Sequence, residues 1–170
     1  DLGNVSAYFE YLEKALEAAQ KCDCASAKTN VMGSLASFYT NKLKDNEKGL
    51  FWSKECDKYT PYLSDANTSL ACFIKNDIAN KLFKIGQIDS AKIYNAMALA
   101  CREKNQNADL LVYIPVLKSR IALFQHNVPK AIAEGQKAYT LAQSMKRVGM
   151  RLAALNSLVA ALLSMKQADE

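Results

Sequence analysis

The residues able to do acid-base, nucleophilic or metal chemistry are few and scattered. His126 is the single histidine. Any nucleophile-histidine-acid arrangement would have to use it, yet it stands in no GxSxG, cysteine-nucleophile or HExxH context. It reads as a surface residue of a turn. Glu10, Glu13 and Glu17 share a helix face, but Lys14 and Lys21 accompany them, so they form a solvated face with i,i+4 pairs and not a carboxylate pair. Gly33-Ser34 and Gly135 lie inside helical patterns, which leaves no glycine-rich loop to cradle a phosphate. The five cysteines, Cys22, Cys24, Cys56, Cys72 and Cys101, make no CxxC or zinc-spaced cluster. Cys22-Asp23-Cys24 brings two thiols together, but that spacing is strained for a disulfide and no further soft ligand is near. The cysteines are therefore expected to be small core residues or inert loop thiols. The sequons Asn4-Val5-Ser6 and Asn67-Thr68-Ser69 carry meaning only in a eukaryotic secretory setting. No catalytic residue, metal site or cofactor is expected.

The elements that position these residues are helical. Half of the 170 residues are apolar, and only three prolines and six glycines occur. Strong helix formers dominate, so the expected class is all-α. The net charge of +5 is unevenly placed: residues 1–110 hold 14 basic and 14 acidic side chains, residues 111–170 hold 8 and 3. This bias lacks the clustered basic residues with interleaved aromatics of a nucleic-acid binder, and no nucleic acid is expected as partner. The longest apolar stretch, Leu152 to Met165, is interrupted by Asn156, Ser157 and Ser164, so no membrane insertion is expected. Reduced thiols fit a cytoplasmic setting, while a periplasmic one stays open.

Helices are expected near 4–20, 27–42, 47–59, 66–84, 88–104, 108–125, 129–146 and 149–166. Pro61 stops the third. Ser64 and Asp65 can cap the fourth, and Pro129 falls in the tolerant first turn of the seventh. Pro115 should kink the sixth or delay its start.

An internal repeat organises the chain. Its clearest copy runs from Ile78 through Leu82, Ile85 and Gly86 to Ala91, followed by Ala98-Leu99. With Ala91 as reference, Tyr8, Gly49 and Ala131 take the same role, at steps of 41, 42 and 40 residues. Gly3, Lys44, Gly86 and His126 stand five residues before the reference, and Ala15, Cys56, Ala98 and Ala138 seven after it. Small residues recurring there let neighbouring helices approach closely. The copy around Gly49 needs one extra residue and a longer turn. The copy around Ala131 carries Lys118 where a large apolar residue should stand.

This pattern resembles the tetratricopeptide repeat: large-small on a first helix, a glycine turn, then a second helix opening with alanine. The resemblance covers almost the entire chain and implies a single array over 1–170, a right-handed superhelical stack of eight helices in antiparallel pairs. Both ends look cut from a longer array. The last helix, apolar over much of its circumference, should be covered by another helix, pack more fully on its predecessor, or support self-association. The family's groove positions fall on Asn30, Ser34, Ser37 and Asn41, then on Phe73, Asn76, Asn80 and Lys84, and finally on Tyr113 and Arg120. Amides and hydroxyls there can grip a peptide backbone, and Lys84 and Arg120 can receive an acidic group. The family's chaperone-tail clamp is not reproduced. Asn76, Asn80 and Lys84 are expected to share one exposed face. The implied function is a non-catalytic peptide- or protein-binding scaffold. The alternative is a sensory or regulatory segment, since arrays of about forty residues per repeat look like the input regions of bacterial signalling proteins.

Overall fold

The computed structural model describes residues 2–64, 67–105, 109–145 and 147–168. Among them every regular element is helical: α1 (Leu2–Lys21), α2 (Ala25–Asn41), α3 (Asn46–Asp57), α4 (Thr68–Lys84), α5 (Ile88–Asn105), α6 (Leu110–Phe124), α7 (Val128–Gln143) and α8 (Val148–Ala168). α3 ends at Asp57, short of the expected 59, and a 3-10 turn at Thr60–Tyr62 with Pro61 in its first positions follows. Pro115 is buried inside α6, which continues through it. Asn67, not Ser64, occupies the N-cap of α4. Ser64 instead takes the Asn67 N–H on its carbonyl at 2.8 Å, and Asp65 lies outside the described residues. Asp45 and Asn127 cap α3 and α7 by accepting the N–H groups of Lys48 and Lys130 at 2.9 and 3.1 Å.

The connections between α2 and α3, α4 and α5, and α6 and α7 repeat one geometry. Lys44, Gly86 and His126 all take left-handed backbone, with φ of 58°, 80° and 56°. After α4 and α6 the chain closes identically. Gly86 and His126 donate to the carbonyls three residues back, and Gln87 and Asn127 to those five back, which satisfies the last helical carbonyls. After α2 the closure is one residue longer, with the Asp45 N–H on the Tyr39 carbonyl. That is the extra residue the second copy needs. His126 is thus a surface turn residue held where glycine is most at ease. Gly3 lies within α1, so the first copy has no such turn.

Packing follows the small positions. Gly49, Ala91 and Ala131 are buried, as are Cys56, Ala98 and Ala138 seven residues on. Tyr8 is 48% exposed, on a helix whose main packing partner is α2. Each helix packs on its chain neighbours, and α6 also meets α4 and α8. The largest apolar cluster joins Met32, Leu50, Ile74, Ile78, Leu82, Leu117 and Ile121 across α2, α3, α4 and α6.

Cys72 on α4 and Cys101 on α5 form a disulfide, with Cα atoms 5.3 Å apart. The expectation that the cysteines are unpaired core residues fails here. The two lie 14 residues before and 15 after Gly86, so the antiparallel pairing about that turn brings them side by side.

On α8, Met150, Ala154, Ser157, Leu158 and Ala161 are buried, while Leu152, Leu155, Val159, Leu162, Leu163 and Met165 are 42 to 58% exposed. The helix does not bury its circumference on its predecessor. Over Val148–Lys166, with mean hydropathy 1.6, it is also long and apolar enough to cross a membrane. The interrupting polar residues therefore do not exclude it by composition. Its buried side lies on α6 and α7, and only 28% of that stretch is buried.

Candidate groove site

α2, α3 and α4 enclose a cavity of about 250 Å³. Ser37 and Asn41 come from α2, and Phe73, Asn80 and Lys84 from α4, so five of the ten groove positions meet there. The Asn41 amide donates to the Ser37 hydroxyl at 2.9 Å. The Asn80 amide donates to the Asn76 carbonyl at 2.9 Å, and its Oδ1 faces Arg120 Nη1 at 3.5 Å. Arg120 lies over the Phe83 ring, 4.6 Å from its centre. α6 is thereby tied to α4 through Asn80 and Phe83.

The other positions are placed differently. Asn30 is exposed outside the cavity, and the Ser34 hydroxyl donates back to the Asn30 carbonyl at 2.9 Å. Tyr113 is half-buried between two apolar clusters, one with Cys72 and Ile114 and one with Val112 and Met150, so it is a packing residue. Asn76 is only 7% exposed, which breaks the expected exposed row. Spacing by four advances about 40° around a helix at each step, so three such residues span about 80°. Asn80 stays at the rim, Lys84 is exposed, and Asn76 turns inward.

The cavity floor holds residues that the repeat pattern does not mark. Lys81 is buried and paired with Asp77, and Ser53 Oγ lies 2.6 Å from Asp77 Oδ2 and 3.0 Å from the Gly49 carbonyl. The signal was present as an Asp-Lys pair at i,i+4. The buried Thr40 hydroxyl lines the cavity with no hydrogen-bond partner among the described residues. Above this floor, Lys84 and Arg120 make no ion pair with any described carboxylate. Burial, then the charges of Lys81 and Arg120, holds the Lys84 ammonium below its ordinary pKa, and burial does the same for the Arg120 guanidinium. Positive charge gathers at this rim beside the Asp77 carboxylate, which is itself paired with Lys81.

The remaining thiols differ in character. Cys24, just ahead of α2, has its pKa lowered by the Ser26 hydroxyl and the Ala27 and Ser26 N–H groups, whereas burial raises Cys22 and pushes Cys56 up to about 12. With iodoacetamide at neutral pH, Cys24 is expected to alkylate first, Cys22 more slowly and Cys56 only on unfolding. Peptide mapping of a time course checks the order, and early labelling of Cys56 would contradict it. Among the described residues no group of three or more His, Cys, Asp or Glu gathers as a metal would require.

No protein-family model matches the chain, and no curated protein matches it.

Proposed function

We propose that the chain is a tetratricopeptide-like solenoid and a non-catalytic scaffold that binds an extended peptide or protein segment carrying an acidic group in the groove of α2, α4 and α6. The carrying observation is the α2–α4 cavity, lined by Lys84 and the unpartnered Thr40 hydroxyl and joined through Asn80 to Arg120, neither cation having an ion-pair partner among the described residues. The three left-handed turns at steps of 42 and 40 residues and the packing of α6 on α4 and α8 support the array. Ser37, Asn41 and Asn80 supply donors and acceptors for a peptide backbone, and the rim supplies a place for a carboxylate or phosphate.

No nucleic acid is proposed as partner, and α8 is proposed not to insert in a membrane. Its exposed apolar face serves for self-association. The Cys72–Cys101 disulfide favours the periplasm over the cytoplasm, since disulfides persist where conditions are oxidising.

Reversing two charges tests the groove. Lys84→Glu with Arg120→Glu is expected to weaken binding of acidic peptides, selected from a display library on the wild-type chain, by at least tenfold or about 1.4 kcal/mol. Lys54→Glu, on the exposed side of α3, should leave it unchanged. Equal loss from both variants, with circular dichroism unaltered, would place the site elsewhere.

A further inference from the structure

A second cleft lies away from the groove, between α5 and α7 with α6 as its floor. Its main chamber has a volume of about 240 Å³, just under the roughly 300 Å³ at which ligand pockets usually begin. A neighbouring chamber of about 190 Å³ shares Leu99, Lys118 and Glu134 with it. Apolar side chains line part of it, but its polar groups are the informative ones.

Asn95 is 2% exposed, and its side-chain Nδ2 has no partner among the described residues. Glu134 presents a buried carboxylate oxygen, Oε2, which also has none. A buried donor and a buried acceptor, each left unsatisfied, are costly unless something completes them. Both line the main chamber, one from α5 and one from α7, and they do not bond each other. A hydroxyl satisfies the two at once, accepting from Asn95 and donating to Glu134.

Around this pair stand Lys92, Lys118 and Lys130. Lys92 pairs with Asp89 at 3.1 Å, whereas no described carboxylate pairs with Lys118 or Lys130. The second chamber adds Arg102, whose buried Nε is likewise without a partner. Lys118 is the residue that breaks the repeat, standing where a large apolar side chain belongs. Its place at the junction of both chambers gives that departure a use. The positive excess of residues 111–170 includes Lys118 and Lys130.

We infer that this cleft is a binding site for a small hydroxyl-bearing carboxylate, with the hydroxyl between Asn95 and Glu134 and the carboxylate on Lys118 and Lys130. The site is separate from the groove and does not depend on a peptide ligand there.

Titration of the ¹⁵N-labelled chain with L-malate, L-lactate and succinate tests it, followed through the Asn95 side-chain amide and the backbone amides of α5 and α7. Malate or lactate should move those signals saturably, and malate should bind about tenfold more tightly than succinate, as losing ordinary hydrogen bonds to a hydroxyl implies. Lys118→Met and Asn95→Leu should each weaken malate by about tenfold, while Lys84→Ala with Arg120→Ala in the groove should leave it unchanged. Should either cleft variant fail to fold, Lys130→Ala, at an exposed position, serves in its place. The proposal is overturned if neither hydroxy acid moves the cleft signals, if succinate binds as well as malate, or if shifts spread evenly over surface lysines as in plain ionic adsorption.

Discussion

Replacing Gly49 with alanine is expected to cost about 1 to 3 kcal/mol and to lower the melting temperature by roughly 2 to 12 °C. A Cβ there would stand 2.1 Å from Thr40 Oγ1, 3.2 Å from the Ala36 carbonyl oxygen and 3.2 Å from Lys81 Cε. Thr40 can rotate, but the α2 backbone cannot withdraw without opening the contact between α2 and α3. The Lys81 stem is held by its pairing with Asp77. Gly33→Ala supplies the contrast, since a Cβ at Gly33 meets nothing within 4 Å. In a helix interior that change should raise stability by about 0.5 to 1 kcal/mol. Differential scanning calorimetry of the two variants separates close packing from helix propensity. Equal and small effects would mean that the α2–α3 contact at Gly49 is looser than described.

Breaking the Cys72–Cys101 disulfide has the larger expected effect. It closes a chain segment with a sequence separation of 29 residues. The chain-entropy argument gives a loss of roughly 3 to 4 kcal/mol on its removal, or about 6 to 15 °C in melting temperature. Cys101→Ser in the oxidised chain should match the wild-type chain under reductant, because both lack the same link. Mass spectrometry after alkylation without reductant should find Cys22, Cys24 and Cys56 modified on unfolding and Cys72 and Cys101 protected. Alkylation of all five would contradict the pairing, as would a melting temperature indifferent to reductant.

Much of the fold is legible in the sequence because its signals are local. One turn position recurs as Lys44, Gly86 and His126 and marks three helix ends, whereas the cap of α4 falls on Asn67 and not on Ser64. The groove is legible in part. Ser37, Asn41, Asn80 and Lys84 converge because their helices share a repeat position. Asn76 and Tyr113 do not present to the groove, because the angular drift of an i,i+4 row and the thickness of an inter-helix layer are set by neighbours that a linear pattern does not show. The disulfide was available through the near-equal distances of Cys72 and Cys101 from Gly86, an argument that needs the pairing of α4 with α5 first. Asp77 and Lys81 are neighbours at i,i+4 on α4, but Ser53, 24 residues before Asp77, joins them only through the fold.

Amide chemical-shift mapping tests the proposed groove of α2, α4 and α6 most directly. An acidic peptide selected on the wild-type chain, titrated into the ¹⁵N-labelled protein, should shift Ser37, Thr40, Asn41, Asn80, Lys84 and Arg120 saturably and leave the exposed sides of α3 and α5 unmoved. Shifts centred on α3 and α5, with the cavity signals unchanged at saturation, would contradict it.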